Sequence, residues 1–183
     1  MKIVCVGDSN TLGYDPRSYL GEQYPDSSKW TSLLASKLDA VVINEGENGR
    51  TVRDLSRIKT CECDCLILML GTNDILEGRS AQETSRRFGE TLANHPIPAK
   101  RTVLIAPPAL KSGVWISDFN QIAQSQRLAQ EYSQLAEAFG FYFVNAIPWQ
   151  IPICYDGVHF TESGHLHFAA YLAEEILDIL RQF

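Results

Sequence analysis

Five short apolar runs punctuate the chain, at residues 2–6, 40–44, 65–70, 102–106 and 141–144, and most stretches between them set apolar residues three or four positions apart. The first pattern is that of strands and the second that of helices with one buried face, so the chain reads as repeated β-α-β units. Leu66-Ile67-Leu68-Met69-Leu70 is apolar at every position. A strand tolerates that only when both faces of its sheet are covered, the condition met by a mostly parallel sheet between helices. The expected architecture is α/β, with a mostly parallel five-stranded sheet sandwiched by helices, in a single domain over residues 1–183.

Local signals mark the helix ends. Ser27-Ser28 is expected to cap a helix carrying Trp30, Leu33, Leu34 and Leu38, and Thr51-Val52-Arg53-Asp54-Leu55 to open a shorter one. Ser80 with Glu83 three positions on forms a capping box for a helix over 80–94, which Pro96 and Pro98 terminate. A long helix over 118–139, carrying Ile122, Leu128, Leu135 and Phe139, stops at Gly140. Thr161 caps the last helix, whose apolar stripe is Ala169, Leu172, Ile176, Leu177 and Leu180.

In open α/β sheets ligands bind beyond the carboxyl ends of the strands. That rule gathers residues distant in sequence at one edge: Ser9 follows the first run, Gly49 the second, Asn73 the third, and Asp156 with His159 the fifth. A serine hydroxyl attacks carbonyls once a histidine takes its proton, and the histidine needs a carboxylate to fix its tautomer. Ser9, His159 and Asp156 suit those roles in that order. Gly49, open to close approach, and Asn73, with its side-chain NH₂, are candidate donors to the developing oxyanion, together with the Ser9 backbone N–H. Asp8 and Asp74 are read as supports of the site loops.

Composition narrows the partners. A formal charge of −6 argues against a broad nucleic-acid or anionic-membrane surface, and Arg86-Arg87 and Lys100-Arg101 read as solvated charges. The apolar start Ile3-Val4-Cys5-Val6 is too short for a signal peptide and no run approaches membrane-spanning length, so a cytoplasmic location is expected. Five cysteines without an export signal imply reduced thiols. Cys61, Cys63 and Cys65 lack the spacing and the second pair of a zinc site; in a strand begun that early their sulfurs would share one packed face. No metal and no cofactor is expected. His165 and His167 fall in the last helix as ordinary surface or packed residues, and His95 in a loop. Trp115, Trp149, Tyr155 and Pro107-Pro108 either line a substrate pocket or pack the core.

Four blocks taken in order resemble the SGNH (GDSL-like) hydrolases: Gly7-Asp8-Ser9-Asn10-Thr11-Leu12-Gly13, Asn44-Glu45-Gly46-Glu47-Asn48-Gly49-Arg50-Thr51, Gly71-Thr72-Asn73-Asp74, and Asp156-Gly157-Val158-His159. The resemblance implies a flavodoxin-like three-layer α/β/α sandwich with Ser9 as nucleophile, His159 as base, Asp156 as its orienting acid, and Ser9, Gly49 and Asn73 as oxyanion donors. Asn10 stands where the four-letter family name has leucine, and is read as touching no catalytic role. Gly13, Asn48-Gly49-Arg50-Thr51 and Ala106-Pro107-Pro108 are similar to the arylesterase and acyltransferase-like branch, which acts on small esters. The expected function is therefore a serine esterase or acylhydrolase whose partner is a small-molecule ester, with self-association left open.

Two other readings stand beside it. An acyltransferase would use the same acyl-enzyme and pass the acyl group to an alcohol. A non-catalytic flavodoxin-like module would hold a phosphate or flavin in the Gly7 to Gly13 loop, but that loop lacks both the Gly-x-x-x-x-Gly-Lys and the Gly-x-Gly-x-x-Gly patterns.

Overall fold

The computed structural model describes residues 1–57, 63–95 and 102–181 and contains the five strands: β1 (Lys2–Gly7), β2 (Val41–Gly46), β3 (Cys65–Met69), β4 (Thr102–Ala106) and β5 (Tyr142–Asn145). They form one sheet in the order β2-β1-β3-β4-β5, and every neighbouring pair is parallel. The α-helices of the described residues are α1 (Ser9–Leu12), α2 (Trp30–Leu38), α3 (Thr72–Leu76), α4 (Ala81–Asn94), α5 (Phe119–Phe139) and α6 (Glu162–Leu180). This is the doubly wound order of flavodoxin-like sheets, in which the winding direction reverses between β1 and β3 and opens a crevice at their carboxyl ends.

Two-residue alternation explains the apolar runs. Ile3 and Cys5 of β1, Cys65, Ile67 and Met69 of β3, and Val103 and Ile105 of β4 pack with Trp30 and Leu34 of α2 and Phe168, Leu172 and Ile176 of α6. The intervening Val4, Val6, Leu66, Leu68 and Leu104 pack with Phe88 of α4 and Leu128 and Tyr132 of α5 on the other side. Each central strand is thus buried on both faces, and polar residues enter these strands only at their first positions, Lys2 of β1 and Thr102 of β4. Edge strand β2 is only partly covered, and its Val41 is exposed.

Most caps lie where the sequence places them. Ser80 Oγ accepts the Glu83 N–H at 3.1 Å, although the Glu83 carboxylate pairs with Arg86 instead of closing the box. Gly140 ends α5 at φ 66°, and Thr161 Oγ1 accepts the Gly164 N–H at 2.9 Å. Pro96 and Pro98 lie outside the described residues.

Three expectations change. Ser27 and Ser28 do not cap α2: they sit in a 3₁₀ turn, Asp26–Ser28, and the cap residue Lys29 makes no side-chain bond. Ser28 Oγ instead donates to Glu162 at 2.7 Å, and the Trp30 N–H is taken by His165 Nδ1 at 3.4 Å, so α6 supplies from a distance what the local serines were expected to give. The segment opened by Thr51 is a 3₁₀ helix, Val52–Arg57, not an α-helix. Because β3 begins only at Cys65, Cys63 and Cys65 do not share a face: Cys65 packs with Cys5 on the α2/α6 side and Cys63 lies against the opposite cluster, while Cys61 is outside the described residues. Burial pushes the Cys5 thiol well up and the Cys65 thiol up to about 12, so both are inert packing groups at neutral pH. No helix among the described residues is long and apolar enough to cross a membrane.

Candidate active site

At the end of β1 the chain turns at Asp8, whose Oδ1 accepts the Asn10 N–H at 3.0 Å and so starts α1 with Ser9 as its first residue. The short helix lies directly on the strand ends. A Cβ on Gly46 would stand 2.1 Å from the Leu12 nitrogen, an approach that only glycine permits. As the first helical residue, Ser9 keeps a backbone N–H with no carbonyl acceptor inside the helix.

The segment after β5 has no regular structure at the functional residues, and hydrogen bonds shape it. Asp156 Oδ1 accepts the backbone N–H groups of Val158 at 2.9 Å and His159 at 3.0 Å. Its Oδ2 lies 2.6 Å from His159 Nδ1, and His159 Nε2 lies 2.9 Å from Ser9 Oγ. Burial alone would raise the Asp156 carboxyl, but the bonds from the His159 ring and the two backbone donors outweigh it and hold the group below the usual carboxylate range. An anionic Asp156 places the proton on Nδ1, which leaves Nε2 as an acceptor facing the Ser9 hydroxyl.

The loop after β4 locks onto this segment. Lys111, Val114 and Trp115 donate backbone N–H groups to the carbonyls of Gly157, Tyr155 and Asp156. A Cβ on Gly113 would stand 2.4 Å from the Asp156 carbonyl carbon, so the two backbones touch. The contact sets the Trp115 ring edge-on to His159, with centroids 5.3 Å apart, while the Tyr14 ring lies 4.7 Å from the same imidazole.

Ser9, Gly49, Asn73 and His159 face a common cavity of about 310 Å³, whose remaining wall is Tyr14, Asn48, Leu76 and Trp115. Gly49 adopts φ 73° in the loop after β2 and has no heavy atom within 4 Å of where a Cβ would stand. Asn73, in the first turn of α3, donates one Nδ2 hydrogen to the Arg50 carbonyl at 2.9 Å, which leaves the second hydrogen of the amide for the cavity. The expected structural roles of Asp8 and Asp74 match their contacts. Asp74 accepts the Val52 N–H at 2.9 Å and ties α3 to the segment after Gly49, and burial pushes both carboxyls up.

The five residues singled out from sequence therefore converge, whereas the proposed aromatic and proline wall divides. Trp115 lines the cavity, but Trp149 packs on Phe168 and Tyr171 of α6. Tyr155 donates its hydroxyl to the Pro16 carbonyl at 2.6 Å, and Pro108 borders a separate cavity with Lys111 and Ile151. His167 is exposed, and His95 ends α4 with Nδ1 3.0 Å from the Thr91 carbonyl. Sequence reasoning missed Tyr14, Asn48 and Leu76 as cavity residues; the available signal was that Tyr14 and Asn48 adjoin Gly13 and Gly49 and that Leu76 lies one helical turn beyond Asn73. Among the described residues no three His, Cys, Asp or Glu side chains gather where they could hold a metal ion. A hydroxyl, an imidazole, a buried carboxylate and amide donors around one cavity are the parts that acyl transfer needs.

A family model described as GDSL-like lipase/acylhydrolase matches residues 5–167. Similar solved structures include a provisionally assigned arylesterase from Agrobacterium tumefaciens strain C58, 29% identical over 97% of this chain and 99% of that one, with a TM-score of 0.83. The native aryl esterase of M. smegmatis is 25% identical over 97% and 99%, TM-score 0.82. A carbohydrate acetylesterase family member from Sinorhizobium meliloti is 25% identical over 98% and 98%, TM-score 0.81. Comparison with curated proteins gave no match.

Proposed function

The chain belongs to the GDSL-like lipase/acylhydrolase family and is an ester-cleaving hydrolase, and from that premise we propose that it cleaves small carboxylic esters through an acyl-enzyme on Ser9. The observation that carries this reading is the unbroken line from Asp156 Oδ2 to His159 Nδ1, 2.6 Å, and from His159 Nε2 to Ser9 Oγ, 2.9 Å, ending in an open cavity. Ser9 Oγ attacks the ester carbonyl as His159 Nε2 takes its proton, and Asp156 stabilises the imidazolium. The carbonyl oxygen becomes an oxyanion held by the Ser9 and Gly49 N–H groups and the free Asn73 amide hydrogen. Collapse expels the alkoxide, which receives the proton from His159. Water, activated by the same imidazole, then releases the acid.

A cavity of about 310 Å³ walled by Tyr14, Leu76 and Trp115 suits a small acyl or aryl group better than a long chain. The reading is tested with p-nitrophenyl acetate and an aryl phosphonate. Wild type should turn over the ester and gain one phosphonyl adduct, located on Ser9. An adduct on another residue, or equal turnover by Ser9→Ala, would refute it. Added alcohol in the same assay separates hydrolysis from acyl transfer by its products.

A further inference from the structure

The side chain of Asn10, next to Ser9, reaches across to the segment that carries His159. Its Nδ2 donates to the Val158 carbonyl at 3.1 Å, and its Oδ1 accepts the Phe160 N–H at 2.8 Å. These are the backbone groups immediately before and after His159, and they lie on the same edge of the extended segment. The opposite edge is held separately, since the His159 N–H goes to Asp156 and its carbonyl accepts the Cys154 N–H at 2.7 Å. The Asn10 amide thus stands in for a peptide unit of a neighbouring strand.

We propose that Asn10 is a positioning residue that clamps the His159 segment to the nucleophile helix and thereby fixes the Ser9–His159 geometry; this rests on the catalytic roles proposed above. This is the position where the four-letter family name has leucine. An amide is required here because one planar group must donate to a carbonyl and accept from an N–H side by side, which neither leucine nor aspartate can do. The amide orientation is dictated as well, because the flipped group would set oxygen against oxygen and hydrogen against hydrogen. Asn10 is itself fixed: its N–H is held by Asp8 Oδ1, its carbonyl accepts the Trp30 indole N–H at 3.1 Å, and the residue is buried. With both anchors one residue from a reacting group, slack in the clamp becomes error in the distance across which the Ser9 proton moves.

The test compares Asn10→Leu and Asn10→Asp with wild type, and repeats Asn10→Leu in a His159→Ala background. Asn10→Asp keeps the acceptor for Phe160 and covers the case in which the leucine variant does not fold. The expected result is a fall in kcat of about 10- to 100-fold with KM within about twofold, in protein that circular dichroism shows to be folded. Once His159 is absent, Asn10→Leu should lower the residual rate no further, whereas general loosening of the site would lower it again. Unchanged kcat in a folded variant, or an equal loss in the His159→Ala background, would overturn the clamp while phosphonylation of Ser9 in wild type still upheld the acyl-enzyme. Failure of wild type to label at Ser9 would overturn both.

Discussion

The two halves of the candidate site differ in how much they rely on long-range side-chain contacts. Ser9 is placed by backbone: a strand end, an aspartate-capped helix start and a glycine contact between α1 and β2 fix it before any long-range side chain acts. His159 depends on side chains as well, because its segment has no regular structure and is held by the Asp156 and Asn10 side chains in addition to backbone bonds from Cys154 and from the loop around Gly113. A backbone-built position survives loss of its side chain, whereas a side-chain-built position does not survive loss of its partners.

Ser9→Ala is the sharpest test of that contrast. Turnover should fall by about 10⁴-fold or more, while the thermal midpoint stays close to wild type; a large drop in the midpoint would break the comparison. Asp156→Asn should cost about 10⁴-fold in kcat and, unlike Ser9→Ala, should also lower the midpoint. An asparagine oxygen can still take the two backbone N–H groups, but its NH₂ then faces His159 Nδ1 and drives the proton to the wrong nitrogen. Equal midpoints for the two variants in differential scanning calorimetry would show that the acid segment is stiffer than its contacts suggest. Asn73→Ala removes a donor from a helix whose placement Asp74 secures, so the expected loss is about 10²- to 10³-fold in kcat, or 2.7–4 kcal/mol, with KM nearly unchanged; steady-state kinetics decides.

The smallest effect concerns stability alone. Burial, with Lys29 and His159 nearby, holds His165 down to about 4 from 6.5. Between those values the unfolded chain binds a proton that the folded chain refuses, so this contribution is complete above pH 6.5 and is lost as pH falls toward 4. His165→Gln keeps an acceptor for the Trp30 N–H and removes the titration. Urea melts at pH 7 and pH 5 should show wild type losing about 2 kcal/mol more than the variant. Parallel losses would mean that the imidazole already accepts a proton in the fold.

The same division explains what the sequence made legible. Strands with every position buried write continuous apolar runs, and Asp8, Ser80, Asp118 and Thr161 act on their own next turn, so these elements can be read locally. The site residues were legible because each falls at a strand end on one sheet edge, and four short blocks carry them. The cap of α2 was not, because His165 lies 135 positions away from Trp30. The contacts of Asn10 were illegible for a related reason: its neighbours in sequence say nothing about Val158 and Phe160, whose backbone groups it bonds. The segment Val52–Arg57 likewise has its first N–H held from a distance, by the Asp74 carboxylate 22 positions on.

Ser9 and His159 are separated by 150 positions, so the proposed nucleophile and base meet only when the two ends of the chain are folded together. On the proposed mechanism the Ser9 hydroxyl is activated only once the His159 segment, which follows β5, has docked beside it. If Ser9 is the nucleophile, esterase turnover reports the folding together of both ends of the chain, and a half-made copy holds no activated serine.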